Sequence, residues 1–364
     1  MKILFVIENL GSGGAQRQMV NLAISFKKKG HNITFLVYHK SDFYKEYLVE
    51  NEIPIYEIIE NHYIKRLILM RRFIRKGKFD SVLSFMQTSN LICEISSLPF
   101  RKWKLVVSER SSNPKILKNL SFRFIRSFHL LADHVVANSF ENIKMVKKAN
   151  PLLPNKKFKV IYNMVDLAKW KPIQINNIDN FNNFNIIVAA SHQYLKNAIG
   201  LIKAINLLPD ELKHKVKISW YGNTRGDNSF NEAKKLVIKY KLENNFIFFE
   251  AIKDIHIKIQ HADAVGLFSF YEGFPNIVTE GMACGKPIIC SDVSDLSLII
   301  KEGENGFLCK ANDIKSISSA IQRFISTSNY NLEKISNNNR EKASEIFNPD
   351  IVTTNYLNLL NNEK

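Results

Sequence analysis

Cysteine is scarce in this 364-residue chain: Cys93, Cys284, Cys290 and Cys309 are the whole complement, and none stands in a Cys-x-x-Cys spacing. A disulfide scaffold and a thiolate metal centre are thereby excluded, and reduced buried thiols are expected. Long hydrophobic runs are missing as well. The apolar start, Ile3 to Ile7, breaks into polar and glycine residues, and no later stretch approaches the roughly 20 residues that span a bilayer. The expectation is a cytoplasmic protein, soluble or resting on a membrane surface. Several catalytic spacings are also absent. The histidines form no His-Glu-x-x-His, the serines no Gly-x-Ser-x-Gly, and Asp292-x-x-Asp295 is not the Asp-x-Asp of metal-nucleotide sites. No metal and no cofactor are expected. Gly281-x-x-x-Gly285-Lys286 is one residue short of a P-loop and leads into a strand, which argues against nucleotide triphosphate hydrolysis.

Acidic residues are the last shortage: 34 against 51 Lys and Arg give a net charge of +17. Through Trp170 the count is 29 basic to 13 acidic, and beyond it 22 to 21, so the excess belongs to the first half. An anionic partner for that half follows.

The chain does contain an end-to-end alternation of short apolar or β-branched runs with longer amphipathic stretches, the pattern of an α/β protein with parallel sheets. Strands are expected at Ile3 to Ile7, Ile33 to Val37, Ser81 to Phe85, Lys104 to Ser108, His134 to Ala137 and Phe158 to Ile161. A second set follows at Asn185 to Ala190, Val216 to Tyr221, Phe246 to Phe249, Asp263 to Phe268 and Pro287 to Cys290. The Asn-rich, aperiodic stretch between the sets reads as a linker. The expected organisation is a first doubly wound domain over 1–168, a linker over 169–184, a second over 185–346 and a closing helical segment over 347–364, with its last helix from Pro349 to Leu360.

Ligands of such sheets bind beyond the carboxyl ends of the strands, where helix N-termini offer amides to anions. Two loops there stand out. After the first strand comes Gly11-Ser12-Gly13-Gly14-Ala15-Gln16-Arg17, where Gly13 and Gly14 leave room for a phosphate or sugar. It departs from the dinucleotide fingerprint in glycine spacing, and the next strand ends at Tyr38-His39 without the ribose-binding acid. The other loop, Phe268 to Pro287, carries Glu272, a helix start at Pro275-Asn276, and Glu280 one turn into that helix. Two carboxylates bordering a helix N-terminus suit a sugar donor whose diphosphate lies on the amides.

Glu272-x7-Glu280 within EGFPNIVTEGMACGKP resembles the signature of family four of the retaining glycosyltransferases, enzymes of the GT-B fold. Gly13-Gly14-Ala15-Gln16-Arg17-Gln18 is similar to that family's GGAERQ, and Val160-Ile161-Tyr162-Asn163-Met164-Val165-Asp166 to its IPNGVD. Lys196-Asn197, Ser291-Asp292 and Glu304-Asn305-Gly306-Phe307 align in order. The resemblance implies two Rossmann-like domains facing a central cleft, and retaining transfer from a nucleoside diphosphate sugar, UDP by family habit. It implies that Glu280 holds the ribose and Glu272 the transferred sugar, with Lys196 on the departing diphosphate. Gly273, Phe274, Asn276 and Ile277 would supply amides, while Pro275 has none to give.

Three positions depart from the family. Ser191 stands where an arginine is usual, and Arg225 or Arg17 is the replacement cation to consider. The stretch Ser84 to Asn90 has no histidine. It is followed by Ser108-Glu109-Arg110, as in a subset whose members extend lipid-linked or surface glycans. Ser294-Asp295 and Leu298 replace a glycine pair and a glutamate.

Two stretches carry much of the basic excess. In Ile64 to Lys78, Ile64, Leu67, Met70 and Ile74 share one helical face, with Lys65, Arg72 and Lys76 opposite and Arg71 and Arg75 between. In Lys115 to Phe128 the cations are Lys115, Lys118, Arg123 and Arg126. Such helices suit anionic headgroups or a lipid-pyrophosphate acceptor. Lys65, Arg71, Arg72, Arg75 and Arg110 are the candidate acceptor or membrane residues. Nucleic acid is not expected, since no zinc-finger, helix-turn-helix or RNP-like pattern occurs. The resulting expectation is a transferase in bacterial capsule, lipopolysaccharide or related surface-glycan synthesis, peripheral on the inner face of the plasma membrane. The alternatives are a non-catalytic GT-B relative that binds anionic surfaces or nucleic acid, or another GT-B enzyme such as a sugar-nucleotide epimerase.

Overall fold

The computed structural model describes residues 1–173, 184–224 and 226–361. Much of the proposed linker, 174–183, therefore lies outside the described residues. The chain forms two compact units, one from Met1–Met164 with the segment from Pro349 onward, the other from Val165–Asn348. Residues 165–173, expected at the end of the first domain and in the linker, group with the second unit.

The first unit is a seven-stranded parallel sheet of β1 (Lys2–Val6), β2 (Asn32–Val37), β3 (Ile55–Glu57), β4 (Ser81–Phe85), β5 (Lys104–Glu109), β6 (His134–Ala137) and β7 (Phe158–Val160). Their order is β3-β2-β1-β4-β5-β6-β7. The second sheet holds β8 (Phe184–Ala189), β9 (Val216–Tyr221), β10 (Phe246–Phe249), β11 (Ala264–Leu267), β12 (Ile288–Ser291) and β13 (Gly306–Cys309), in the order β10-β9-β8-β11-β12-β13. Both are doubly wound Rossmann-like sheets. Central strands such as Ser81–Phe85 and Ile288–Ser291 are buried on both faces, which is why they read as continuous apolar runs rather than alternations. Two strands escaped the reading of the sequence. β3 is three residues long with its side chains partly or fully exposed, and β13 is four residues long and begins at a glycine, so both are short signals.

Alternate residues of β1 divide between two cores. Ile3, Phe5 and Ile7 pack with Met19, Ala23 and Phe26 of helix Gly14–Lys28 and with Val352 and Tyr356 of helix Pro349–Leu360. Leu4 and Val6 pack with Met70 and Ile74 of helix Tyr63–Lys76, Cys93 of helix Gln87–Ser96 and Val146 of helix Phe140–Ala149. The period-two pleat of the strand thus assigns each helix to one of two layers. Side-chain caps set several helix starts: Ser139 accepts from the Asn142 amide, Asp313 from Ser316 and Ser328 from Asn331. All four cysteines are buried and free, as expected. Among the described residues no helix is long and apolar enough to cross a membrane.

Candidate active site

In each sheet the strand order reverses once, between β1 and β4 and between β8 and β11, and the loops leaving those strands bound the place where such folds take ligands. In the second unit these loops bring Lys196 and Glu272 together. A short turn, Tyr194–Lys196, follows β8, and Asn197 ends it in the left-handed conformation, φ +62°. Its side chain then accepts from the Gly200 amide to start helix Ala198–Asn206 and donates to the Ala311 carbonyl at 2.7 Å. The Phe270 amide bonds the Leu195 carbonyl at 2.9 Å, lacing the β8 and β11 loops together. Across that lacing, Lys196 Nζ lies 2.5 Å from Glu272 Oε1, and the Ser269 hydroxyl donates to the same oxygen at 2.6 Å. Both ionic side chains are largely buried, with 18% and 13% of their surfaces exposed, so the pair is partly screened from water and its orientation is set by protein groups.

A helix start, an aromatic contact and a serine bond shape the rest of the loop. Helix Asn276–Ala283 begins after Pro275, which has extended φ and ψ and provides no side-chain cap. Phe274, Ile277 and Glu280 are buried, and Phe274 stacks at a tilt on Phe347, 5.7 Å between ring centres, which seats the loop. Ser294, at the position of a family glycine, adopts φ +55°, a conformation glycine would take without strain. Its hydroxyl donates to the Gly273 carbonyl. Ser269 was given no role from the sequence, although it lies within the motif, and Ser294 was noted only as replacing a family glycine, without the bond it makes. Ser191 is half-buried, beside a close backbone approach in which a Cβ on Gly222 would meet the Ala190 carbonyl oxygen at 1.9 Å. Arg225 lies outside the described residues.

In the first unit, three motifs distant in sequence converge. Gln18 donates to the Met164 carbonyl and accepts from the Met164 amide, both at 2.9 Å. Arg110 donates to Asn163 Oδ1 at 2.8 Å and to the Tyr356 hydroxyl at 2.7 Å while its guanidinium lies over the Phe85 ring. Gly13 and Gly14 open helix Gly14–Lys28, but Gly13 has ordinary extended dihedrals, φ −89° and ψ 156°. A Cβ there would lie 2.1 Å from Gln16 Oε1, so the Gln16 side chain would have to turn aside. After β4, Met86 begins helix Gln87–Ser96 with φ +77°, a strained conformation for a residue with a side chain, next to the reversal point.

Several expected surface cations are committed elsewhere. Arg110, expected as an acceptor or membrane contact, is half-buried and ties the end of β5 to the last helix within this unit. Arg71 donates to the carbonyls of Ile95 and Leu98, and Arg75 to those of Ser96 and Leu98, so both cap the C-terminal end of helix Gln87–Ser96 rather than standing clear for headgroups. Lys65 is exposed and paired with Glu60 at 2.7 Å, and Arg72 is exposed. Ile64, assigned to the inner face of its helix, is 61% exposed, while Arg66 is buried there instead. The rest of the expected face holds, with Leu67, Met70 and Ile74 on the core; only the first turn departs, where Arg66 folds under, bonding the Glu60 carbonyl and lying over Tyr38.

Arg126 also points inward. It donates to Glu109 Oε2 at 2.8 Å; His129 bonds Glu109 Oε1 at 3.1 Å through Nε2 and Glu94 Oε1 at 2.5 Å through Nδ1. All four side chains are almost fully buried. Burial opposes both charges, yet the Arg126 charge and the His129 contact hold the Glu109 carboxyl at about 2, and the two glutamates hold the imidazole up at about 9.

Residues 12–169 match the family described as Glycosyltransferase Family 4, and residues 169–342 the one described as Glycosyl transferases group 1. A Campylobacter jejuni GalNAc-alpha-(1->4)-GalNAc-alpha-(1->3)-diNAcBac-PP-undecaprenol alpha-1,4-N-acetyl-D-galactosaminyltransferase is 24% identical over 93% of this chain and 92% of its own length. An Escherichia coli UDP-Gal:alpha-D-GlcNAc-diphosphoundecaprenol alpha-1,3-galactosyltransferase is 28% identical over 53% of this chain and 51% of its own. The crystal structure of Anabaena Alr3699/HepE with UDP-glucose superposes with a TM-score of 0.85 at 20% identity, covering 99% of each chain. The two family matches adjoin at residue 169 and, with the two Rossmann-like sheets, make this chain a group 1 glycosyltransferase of the GT-B fold.

Proposed function

We propose that this chain moves a sugar, with retention of anomeric configuration, from a UDP-sugar to a diphosphate-lipid-linked glycan at the inner face of the bacterial plasma membrane, in the assembly of capsule, lipopolysaccharide or a related surface polysaccharide. The observation that carries this reading is the Lys196–Glu272 pair, backed by Ser269 at the point where the second sheet reverses its strand order. A diphosphate leaving group gains negative charge as the bond to the anomeric carbon breaks, and the sugar becomes oxocarbenium-like. A lysine held beside a carboxylate serves both charges: Lys196 faces the departing phosphate and Glu272 the cationic sugar. Glu280, buried one turn into helix Asn276–Ala283, takes the ribose, and the amides of Gly273, Phe274, Asn276 and Ile277 take phosphate or sugar oxygens. Lys196 and the amides carry out the neutralisation that other transferases assign to a divalent cation, so the reaction proceeds in EDTA and needs no cofactor. The names of the Campylobacter and Escherichia relatives support the lipid-diphosphate acceptor, and the UDP-glucose complex of the Anabaena structure supports the donor class.

The test is sugar transfer from a panel of UDP-, GDP- and ADP-sugars to polyprenyl-diphosphate glycans, with Glu272→Ala and Glu280→Ala beside the parent. Turnover of one donor with the lipid acceptor, and its loss by about a hundredfold or more in both variants, supports the reading. Undiminished turnover in Glu272→Ala refutes the assignment of the site.

A further inference from the structure

The two cores of the first unit sort its charges by face. The layer packed on Leu4 and Val6 contains helix Tyr63–Lys76 with six Lys and Arg, helix Leu120–Ser127 with two and helix Phe140–Ala149 with three; its helices contribute only Glu94 and Glu141 as acids. Helix Leu120–Ser127 belongs to this layer through Arg126, which reaches Glu109 of β5, and through the Asn150 amide, which bonds the Arg126 carbonyl at 3.2 Å. On the other face, helices Gly14–Lys28, Lys45–Glu50 and Pro349–Leu360 carry four cations, Arg17, Lys27, Lys28 and Lys45, against Glu46, Glu50 and Asp350. The basic excess is therefore a property of one layer.

Within that layer, the end at helix Tyr63–Lys76 has much of its charge engaged, with Lys65 on Glu60 and Arg71 and Arg75 on carbonyls. The end at helix Leu120–Ser127 also has Arg126 buried on Glu109, but it exposes its apolar side chains further. Leu120 and Phe124, one helical turn apart, are 78% and 66% exposed, and Leu152 in the following turn is 82% exposed. Arg123 shares their side of the helix and reaches the Ala149 carbonyl at 3.4 Å, three residues before Leu152, and Lys148 is exposed next to it. Large apolar side chains this exposed, with Arg123 and Lys148 beside them, fit an interface that is apolar below and anionic above. The same helix is fixed from beneath by the buried Arg126–Glu109–His129–Glu94 cluster, so its outward side chains are presented by a rigid support.

We propose that this edge is where the enzyme enters an anionic bilayer: Leu120, Phe124 and Leu152 sink to the acyl boundary, and Arg123 and Lys148 lie among the lipid phosphates. The proposal rests on the lipid-linked acceptor reading and adds the surface by which the enzyme reaches that acceptor.

The experiment is flotation of the full chain with vesicles of phosphatidylglycerol and phosphatidylcholine, and with phosphatidylcholine alone, for the parent, the triple variant Leu120→Ser/Phe124→Ser/Leu152→Ser and the control Ile64→Ser/Ile68→Ser. All three positions are exposed, so circular dichroism and the thermal transition are expected to be unchanged. The expected result is binding to the anionic vesicles only, weakened about tenfold or more in the triple variant and little in the control. Arg123→Gln/Lys148→Gln should bind less tightly and with a shallower salt dependence. Equal flotation of parent and triple variant overturns the proposal, as does a parent that ignores anionic vesicles. A concentration-dependent dimer that the triple variant abolishes also overturns it, by showing that a second copy covers the edge. Transfer to a short-chain, water-soluble acceptor separates this from the catalytic reading. Its persistence in the triple variant, with transfer to vesicle-embedded acceptor lost, supports docking. A parent that floats but transfers to no acceptor overturns the transferase reading alone.

Discussion

Glu109→Gln is the most informative perturbation of the first unit. In the parent, one carboxylate accepts from Arg126 on one oxygen and from His129 on the other, at 2.8 and 3.1 Å, with all partners almost wholly buried. The amide keeps the shape but removes the charge, leaving the Arg126 guanidinium in a dry interior opposite a neutral group. Breaking one partner of a buried pair costs about 3–5 kcal/mol. The imidazolium loses one of the two carboxylates that keep it charged. The pH dependence gives an independent check. A histidine with an ordinary value of 6.5 in the unfolded chain and about 9 when folded contributes stability fully present below pH 6.5 and lost as pH rises to 9. The slope is about −1.4 kcal/mol per pH unit across that window, or about 3 kcal/mol in all. Glu109, held at about 2, acts oppositely, contributing above its unfolded value of 4.5 and losing that contribution as pH falls towards 2. The assay is amide hydrogen exchange read at β5 and helix Leu120–Ser127, since two units need not unfold in one transition. Glu109→Gln should lower protection there by a factor of a hundred or more at pH 7 and flatten its decline between pH 6.5 and 9. Equal protection in parent and variant, or a decline as steep in the variant as in the parent, would refute the account of the cluster.

Two other outcomes follow from the second unit. Gly222→Ala places a methyl 1.9 Å from the Ala190 carbonyl oxygen, a backbone atom that cannot swing aside; the variant should lose about 1–3 kcal/mol or more in thermal or urea unfolding and bind UDP more weakly as the β8 loop shifts. Ser269→Ala removes a hydroxyl bond of 2.6 Å to the Glu272 carboxylate while Lys196 remains in place. The turnover rate should fall about tenfold to a hundredfold with the melting temperature nearly unchanged, and an unaltered rate would show that the Ser269 hydroxyl does not position the carboxylate.

The double winding of both sheets was legible because parallel strands buried on two faces carry apolar residues on both, and Ser81–Phe85 and His134–Ala137 stand where they were expected, as does the edge strand Phe246–Phe249. Glu272, Glu280 and Lys196 were legible because they lie in motifs with fixed spacing from a strand end and a helix start. Ser269 and Ser294 were not, since a serine's role depends on which carbonyl or carboxylate the backbone brings within about 3 Å of it. The same holds for Arg110 and Arg126. In sequence they are cations among other cations, and only the approach of Tyr356 and Asn163 to one, and of Glu109 to the other, distinguishes a structural tie from a surface charge.

The chain's local chemistry by itself determined the alternation of strands and helices, the glycine-led and glutamate-led loops at two strand ends, and the presence of +16 in the first half. Each depends on residues near one another along the chain, where sterics, periodicity and charge can be read directly. Only the tertiary structure decided where that charge goes. The pleat of β1 sends its helices to two layers, the basic ones gather in the same layer, and part of their charge is then consumed by carbonyls and buried carboxylates. Those choices depend on groups tens to hundreds of residues apart, whose encounter is a property of the packed sheet.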